Sequence, residues 1–490
     1  MLVRAIGLGL AMTIALSSVV LAALNFKLPF VCGETYRGST YDGHGYGAID
    51  FNKDDGSDVD DPVLASAGGT VVERVDSNGR VRINHQDGAS VYQTVYAHMK
   101  NISVSVNDTV QLGQQIGTVW NTGAVGYHLH YNQLLNGSEQ LAKFDGVTYQ
   151  YNTLITSTNC SGEPAAPAML YDLGPSSARI YRWSNGGGTF NGLVTADTSN
   201  FYTGYVSDRF VSGDFDNDGH EDVLVAYSNA GGTFSFKVAS HAAAMFTTWY
   251  TSDGSWSIAS VQNRLVAGDW NADGKTDVAM ARDNNNTTVS LYRWHSTGTG
   301  FNASSPINLG SFNVGNVGDR MVAADWNGDG GDDVIMAYQK ANGTFSYHVW
   351  LSAYSYVGAV YTSGQFTLSR VAGRLAAGDW NADGKGDAAM AYDNNNGTFG
   401  LYRWTSTGSG FTFSALWTSG SFALANVGDR MTGGRFTSDA TDDIVIAYQN
   451  ANGTFSYYVW QAASSYSGIW YTSGQFSISA VDGRLVAGAW

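Results

Sequence analysis

Three short stretches in the first third of the chain hold residues that can bind a metal and move protons: residues 43–50 (Gly-His-Gly-Tyr-Gly-Ala-Ile-Asp), 96–99 (Tyr-Ala-His-Met) and 127–131 (Tyr-His-Leu-His-Tyr). Side chains alternate between the two faces of a β-strand, so His128 and His130 would share a face on a strand. A catalytic zinc ion usually takes three protein ligands and keeps a fourth position for water. His44, Asp50 and His130 could fill those three positions, which leaves His98 and His128 for acid–base catalysis.

A second set of candidate ligands recurs in four acidic loops later in the chain. Each loop places carboxylate or amide oxygens at positions one, three, five and nine around a turn glycine: Asp214, Asp216, Asp218 and Asp222; Asp269, Asn271, Asp273 and Asp277; Asp325, Asn327, Asp329 and Asp333; Asp379, Asn381, Asp383 and Asp387. Calcium accepts such an irregular oxygen cage, whereas magnesium demands stricter octahedral geometry. We predict one structural calcium ion in each loop. The alternative is a set of acidic turns that hold no metal.

A fifth loop departs from this pattern. Arg435 and Thr437 occupy its first two ligand positions, and only Asp439 and Asp443 keep a carboxylate. We predict that this loop has lost its ion and that the guanidinium replaces the missing positive charge.

Five further histidines are assigned no chemistry. His85 follows an apolar run and precedes a turn, and we interpret it as structural. The other four lie in the repeats without recognisable partners: His220, His241, His295 and His348. Histidines of this kind are ordinary in cores and turns.

The composition predicts many short strands joined by tight turns. The chain has 490 residues with 60 Gly, 28 Tyr and 14 Trp but only 6 Pro, which favours an almost all-β protein. Its formal net charge is −16 with 26 Lys and Arg, which argues against nucleic acid, because phosphate binding relies on clustered basic residues.

The N-terminus predicts export. Residues 1–23 contain an early Arg4, a long apolar run and small residues at Ala22 and Ala23, the pattern of a cleaved signal peptide. The alternative is an uncleaved membrane anchor. Export would permit the two cysteines, Cys32 and Cys160, to form a disulfide, with two unpaired thiols as the alternative. We expect a secreted protein, extracellular or periplasmic.

The rest of the chain divides into two domains. Residues 24–160 read as short strands, and residues 161–167 form a linker with two of the prolines. Residues 168–490 contain six repeats of about 55 residues, each with about four strands and separated from the next by an acidic loop. Four strands are the content of a propeller blade, so we predict a six-bladed β-propeller.

Three tryptophans mark alternate repeats within a Tyr-Arg-Trp motif: Trp183, Trp294 and Trp404. They could stack on sugar rings at the surface, but packing between blades is favoured because large aromatic residues dominate propeller cores. Their alternation indicates that the duplicated unit is a pair of repeats.

The first domain resembles the lysostaphin-type zinc endopeptidases, which cut peptide bonds in bacterial peptidoglycan. The resemblance covers residues 28–140 and rests on the ordered histidines together with residues 48–51, 61–63, 67–71, 96–98 and 113–117. It implies His44, Asp50 and His130 as the zinc ligands, with His98 and His128 acting on the water and the oxyanion. His44 and Asp50 are six residues apart where many relatives have four, a lengthening known in the beta-lytic branch. Trp120 stands where a glycine is common and would shape the substrate groove.

The repeats resemble the FG-GAP or VCBS repeats of integrin-like propellers, which carry calcium in interblade loops and usually mediate binding. The sequence as a whole predicts a monomeric, secreted zinc endopeptidase that hydrolyses peptidoglycan peptides. A calcium-binding propeller would target or anchor it, with a cell-surface carbohydrate or protein as its ligand. The alternative is an adhesin or lectin-like protein in which the peptidase-like domain is inactive.

Overall fold

A computed structural model describes residues 26–488 except 32–33, 88–89, 111, 145, 158, 160–163, 175, 187, 200, 242–244, 255–256, 287, 365, 372–374, 438–440, 463–464, 475 and 482. Within the described residues the protein is nearly all-β, and every strand pair is antiparallel, which confirms the predicted class. No helix in this part of the chain is long and apolar enough to cross a membrane. The predicted signal peptide, Cys32, Cys160 and Asp439 lie outside the described residues.

The first domain contains fourteen of the described strands. They are β1 Thr35–Ser39, β2 Ile49–Asn52, β3 Pro62–Leu64, β4 Gly69–Val75, β5 Arg80–Asp87, β6 Ser90–Ala97, β7 Met99–Lys100, β8 Thr109–Val110, β9 Gln115–Val119, β10 Leu129–Leu135, β11 Ser138–Gln140, β12 Lys143–Phe144, β13 Val147–Thr148 and β14 Leu154–Thr156. A large sheet has the order β14-β1-β2-β10-β6-β5-β4-β8, with β11 beside β10, and a smaller sheet has the order β3-β9-β7.

Alternation along β2 and β10 separates the core of this domain from its chemistry. Ile49 and Phe51 on β2, and Leu129 and Tyr131 on β10, are buried in one apolar cluster. Asp50 and His130 lie between these residues on the opposite face, and they are direct partners in the β2–β10 register. Burial of the apolar face therefore fixes which side chains point toward the candidate site.

The second domain contains six sheets. Its strands are β15 Ala166–Gly174, β16 Ser177–Asn185, β17 Phe190–Ser199, β18 Phe210–Gly213, β19 Asp222–Ser228, β20 Phe234–Ala239, β21 Thr247–Thr251, β22 Leu265–Gly268, β23 Asp277–Asp283, β24 Thr288–Ser296, β25 Phe301–Ala303, β26 Ile307–Asn313, β27 Met321–Ala324, β28 Asp333–Gln339, β29 Phe345–Leu351, β30 Ser355–Thr362, β31 Leu375–Gly378, β32 Asp387–Asp393, β33 Thr398–Ser406, β34 Phe411–Ala423, β35 Met431–Gly434, β36 Asp443–Gln449, β37 Phe455–Gln461, β38 Ser465–Thr472 and β39 Leu485–Gly488. The one α-helix among the described residues, α1, spans Val314–Val317, and β15 begins inside the predicted linker.

Each sheet is offset by one strand from the repeat that the sequence predicted. The last strand, β39, pairs with β15, so the first sheet joins both ends of the domain in the order β39-β15-β16-β17. In the other five sheets the acidic loop connects the first two strands of one sheet, as between β18 and β19. The prediction that these loops separate successive units was therefore wrong, because the pairing of β39 with β15 is not visible in a local pattern.

The short first strands contact one another in sequence order. Each of β18, β22, β27, β31, β35 and β39 contacts the next, and β39 also contacts β18.

The three repeated tryptophans pack between sheets. Trp183, Trp294 and Trp404 are at most 2% exposed. Each contacts an aromatic ring of the preceding sheet, with ring centroids 5.0–5.5 Å apart: Tyr457, Phe236 and Tyr347, respectively. The arginine before each tryptophan donates to carbonyls of the following sheet. Stacking of these tryptophans on a surface sugar is therefore excluded.

Candidate metal centre and acidic loops

Strand pairing and one tight turn position the three predicted zinc ligands. Asp50 on β2 faces His130 on β10 across the register. His44 lies on the glycine-rich loop before β2, where its amide donates to the Tyr41 carbonyl at 3.0 Å. The Tyr41 ring stacks on the imidazole of His44 at 4.5 Å, which holds the ring against the strand face.

Three side-chain atoms of these residues converge on one point. His44 Nε2 lies 2.9 Å from His130 Nδ1 and 3.2 Å from Asp50 Oδ1, and His130 Nδ1 lies 3.1 Å from Asp50 Oδ1. Donors bound to tetrahedral zinc at about 2.0–2.2 Å are roughly 3.4 Å apart. Two nitrogens and one carboxylate oxygen at nearly this spacing fit a zinc ion in both chemistry and size.

The outer nitrogens of the two imidazoles have partners that select a tautomer. His130 Nε2 lies 2.8 Å from Asn132 Oδ1, an acceptor, so the proton belongs on Nε2 and Nδ1 keeps its lone pair. His44 Nδ1 lies 3.1 Å from Thr40 Oγ1, and a proton on Nδ1 leaves Nε2 free in the same way. Both free lone pairs therefore lie in the triangle of candidate ligands, an arrangement typical of metal-binding histidines.

His98 and His128 lie beside this triangle. Their ring centroids are 4.8 Å apart, and the His98 ring is 5.8 Å from that of His130. His128 Nε2 lies 3.6 Å from Asp50 Oδ1. These distances place both imidazoles within reach of a substrate at the metal position.

Local backbone geometry holds His98 in place. It follows the end of β6 and has a φ of +67°, an uncommon conformation for a residue with a side chain. His98 Nδ1 donates to the Thr122 carbonyl at 3.0 Å, so Nε2 carries the lone pair. His128 is bridged to Trp120, whose ring contacts Tyr127 at 4.9 Å.

The electrostatics of the site favour metal binding near neutral pH. Burial lowers the pKa values of His44 and His128 below the usual value of 6.5, although Asp50 opposes this shift. Burial acts to raise the pKa of Asp50, but the hydrogen bond with His130 and the other imidazoles lower it overall. Neutral imidazoles and an ionised carboxylate are the forms that coordinate zinc.

The structure thus brings together all five predicted residues of the candidate centre. Three residues that orient the imidazoles were not predicted from the sequence: Asn132, Thr40 and Thr122. Asn132 was detectable, because it continues the alternation of His128 and His130 along one strand face. His85 is buried, with Nδ1 bonded to the Gly68 carbonyl at 2.7 Å, in agreement with its interpretation as structural.

The four acidic loops share one hydrogen-bond pattern. The first aspartate of each loop accepts two amides from the residues at positions five and six, at 2.8–3.2 Å: Asp214, Asp269, Asp325 and Asp379. In the first loop, oxygens of Asp214, Asp216 and Asp218 all lie within 4.8 Å of one another. Burial raises the pKa of Asp214 to about 7 and that of Asp269 to about 6. A bound cation would offset the cost of holding several partly buried carboxylates close together.

The position-nine aspartates have a structural role that the sequence did not predict. Asp222, Asp277, Asp333 and Asp387 are fully buried, and each accepts a backbone amide from a residue at or just after the end of the third strand of its sheet, at 2.6–2.9 Å. They join each acidic loop to its own sheet. A carboxylate oxygen has a second lone pair, so this role does not prevent metal binding.

The fifth loop keeps the hydrogen bond between its position-nine aspartate and the third strand region, although it lacks the other predicted calcium ligands. Asp443 Oδ1 accepts the Ala462 amide at 2.9 Å, and Oδ2 accepts the Thr437 hydroxyl at 2.9 Å. The Thr437 hydroxyl thus forms a hydrogen bond within its own loop.

All four histidines of the repeats have partners, contrary to expectation. His295 Nδ1 lies 2.7 Å from Asp277 Oδ2, and His348 Nδ1 lies 2.7 Å from the Tyr356 hydroxyl. His241 Nδ1 lies 3.0 Å from Asp218 Oδ2, and its ring stacks on His220 at 4.0 Å. The sequence could not reveal these partners because they lie on different strands and loops.

Comparisons with known proteins divide the chain in the same way. Residues 45–141 match the family model described as Peptidase family M23, and residues 269–336 match the FG-GAP-like repeat. The chain therefore contains one segment that matches the M23 peptidase family and one that matches the FG-GAP-like repeat.

One curated relative is a metalloprotease of Haemophilus influenzae described as uncharacterized. It is 38% identical over 92 residues, which span 18% of this chain and 18% of that protein. Among solved structures, the catalytic domain of lysostaphin from Staphylococcus simulans is 28% identical, with 22% of this chain and 85% of that chain covered and a TM-score of 0.18. A zinc-containing peptidase from Vibrio cholerae is 21% identical, with 25% and 41% covered and a TM-score of 0.21.

Proposed function

We propose that this protein is an exported zinc endopeptidase that hydrolyses peptide bonds of bacterial peptidoglycan. The observation that carries the proposal is the convergence of His44 Nε2, Asp50 Oδ1 and His130 Nδ1 within 3.2 Å of one another. The M23 match and the similarity to lysostaphin, named as an antimicrobial peptidase, support a cell-wall substrate. The apolar run and small residues of residues 1–23 support export.

In this proposal His44, Asp50 and His130 hold the zinc ion. When bound, zinc lowers the pKa of a coordinated water to about 7 and polarises the scissile carbonyl. His98 is suited to accept a proton at Nε2, because Nδ1 is committed to the Thr122 carbonyl. His128, whose Nε2 lies 3.6 Å from Asp50 Oδ1, stabilises the carbonyl oxygen as negative charge develops. The accepted proton then passes to the leaving amine.

The proposal assigns the second domain a six-bladed propeller and a targeting or anchoring role. The order of contacts from β18 through β39 and back to β18 supports this architecture, as does the pairing of β39 with β15. We further propose calcium in the first four acidic loops, supported by their shared oxygen arrangement and buried acid. Contact between Lys27 Nζ and Asn217 Oδ1 at 3.1 Å links the first domain to the first of these loops.

A digest of defined peptidoglycans tests this function. Purified full-length protein is incubated with intact sacculi, and released fragments are read by mass spectrometry for new peptide termini. A zinc chelator abolishes cleavage and added zinc restores it if the proposal holds. Protein that adheres to the sacculi without releasing peptides, and that contains no zinc, would instead support the adhesin alternative.

A further inference from the structure

A tyrosine recurs at one position of the second strand in five of the six sheets: Tyr171, Tyr227, Tyr338, Tyr392 and Tyr448. Each hydroxyl accepts a backbone amide from the helical turn that leads into the first strand of the same sheet, at 2.9–3.4 Å. In three sheets the same hydroxyl accepts a second bond at 3.0–3.1 Å from a side chain of that turn: Asn316, Arg370 and Asn426. The tyrosine therefore covers the turn.

The sheet that begins with β22 breaks this pattern. Arg282 occupies the tyrosine position, and its guanidinium donates to the Tyr292 hydroxyl on β24 at 3.1 Å. In the turn at Ile258–Ser260 the Ser257 hydroxyl accepts the Ala259 amide at 3.2 Å, and Asn313 caps α1 in the same way beside Tyr338. Ser260 stands where other turns have the longer Asn316, Arg370 or Asn426.

An open pocket of about 110 Å³ lies where the pattern is broken. Its lining includes Ser260, Gln262, Arg264, Asp283, Val314 and Gly315. The lining combines the exposed side of the Ile258–Ser260 turn with the start of α1 in the next sheet. We infer that loss of the tyrosine at position 282 has opened a ligand site here.

The lining suits a neutral ligand rich in hydroxyl groups. Arg264 is 2% exposed and is held rigidly, with its guanidinium donating to the Ala281 and Ser260 carbonyls at 2.8 Å. Burial lowers the pKa of Arg264, while the negative charges of Asp319 and Asp283 oppose the shift. A basic and an acidic group in one pocket disfavour a free anion and a free cation alike, whereas hydroxyl groups can donate to Asp283 and accept from Gln262.

The geometry points to one sugar ring as the occupant, seated with Val314 as its apolar contact. The volume admits a single ring with part of its surface left in solvent. This site lies in the second domain and does not depend on the peptidase assignment.

Binding of N-acetylglucosamine and of glucose to the full chain tests the inference, measured by saturation-transfer NMR and calorimetry. Arg282→Tyr restores the repeated tyrosine and should abolish binding. Arg282→Met removes the arginine without supplying a phenol and should retain it. Asp283→Asn should weaken affinity by about tenfold or more, through loss of a charge-assisted hydrogen bond.

Thermal unfolding of each variant establishes that it is folded, and peptidoglycan cleavage should be unchanged in all three. Equal binding by wild type and Arg282→Tyr would overturn the inference. The inference would also be overturned if the wild type bound neither sugar, or if acetate or phosphate bound at this pocket and neither sugar did.

Discussion

His130 is hydrogen-bonded through one ring nitrogen to Asn132 and faces the candidate metal position with the other. Nε2 lies 2.8 Å from Asn132 Oδ1, while Nδ1 lies 3.1 Å from Asp50 Oδ1. Asn132 is 6% exposed and two residues further along the same strand, so its side chain shares the face of His130. Because the strand places Asn132 beside His130, it favours the His130 tautomer whose Nδ1 can bind a metal.

Asn132→Leu should weaken zinc binding by about 10–100-fold, because it removes the acceptor that keeps the Nε2 proton in place. Asn132→Asp should bind zinc at least as tightly as the wild type, because a carboxylate is a stronger acceptor. Competition with a chromophoric chelator measures both affinities. Asn84→Leu, which changes a strand asparagine in the same sheet, is the matched control. Wild-type zinc affinity in Asn132→Leu would show that Asn132 does not position His130.

His85→Gln should remove part of the acid sensitivity of the first domain. Burial lowers the pKa of His85 to about 4, against a usual value of 6.5. The unfolded chain therefore binds a proton at His85 between these pH values and the folded chain does not. The free energy of unfolding therefore has its full value above pH 6.5. It falls by roughly 3 kcal/mol as the pH is lowered to 4.

Urea unfolding at a series of pH values between 4 and 7 measures this effect. The free energy of unfolding of the wild type should fall more steeply with acid than that of His85→Gln. Parallel pH profiles for the two proteins would rule out a contribution from His85.

Chelation of calcium should lower the melting temperature of the second domain, because ions that bind only the folded state stabilise it. In chelator, acid should partly restore stability: burial raises the pKa of Asp333 to about 8 and that of Asp387 to about 7, so the folded state binds protons more readily than the unfolded chain. Stability should therefore fall as the pH rises from 6 to 8 in chelator, and less so in calcium. An identical melting curve with and without chelator would contradict the calcium assignment.

The stoichiometry of calcium can be tested loop by loop. Asp325→Ala should reduce the bound calcium from four ions to three per chain, measured by elemental analysis after dialysis, because it removes the first ligand of the third loop. Asp76→Ala, a change of an exposed aspartate in the first domain, should leave the count unchanged. No change in the Asp325→Ala count would mean that the third loop binds no ion.

Cys32 and Cys160 should form a disulfide, since the described residues that flank them are held together. Thr35 pairs with Thr156 between β1 and β14, and Ser157 Oγ donates to the Phe30 carbonyl at 2.7 Å. Mass spectrometry of a non-reduced digest should reveal one cross-linked peptide pair. The double variant Cys32→Ser/Cys160→Ser should lose roughly 2–5 kcal/mol of stability. Two alkylatable thiols in the native protein would contradict the pairing.

Local patterns predicted the parts of the site that depend on strand alternation. His128 and His130 were expected to share a face, and burial of Leu129 and Tyr131 enforces this. The position of His98 depends on a φ of +67° and on a carbonyl 24 residues away, which no local pattern encodes. The same limit explains the error in the repeat boundaries, because the pairing of β39 with β15 joins residues more than 300 apart in the chain.

The central claim is that His44, Asp50 and His130 hold zinc, whereas His98 transfers a proton and His128 stabilises the developing negative charge. One comparison tests it most directly. The zinc-to-protein ratio and the peptidoglycan turnover are measured for His130→Ala and His98→Ala beside the wild type. His130→Ala should lose both zinc and activity, whereas His98→Ala should keep one zinc per chain and lose about 10²–10⁴-fold in turnover. Retention of zinc and cell-wall lysis by His130→Ala would contradict it.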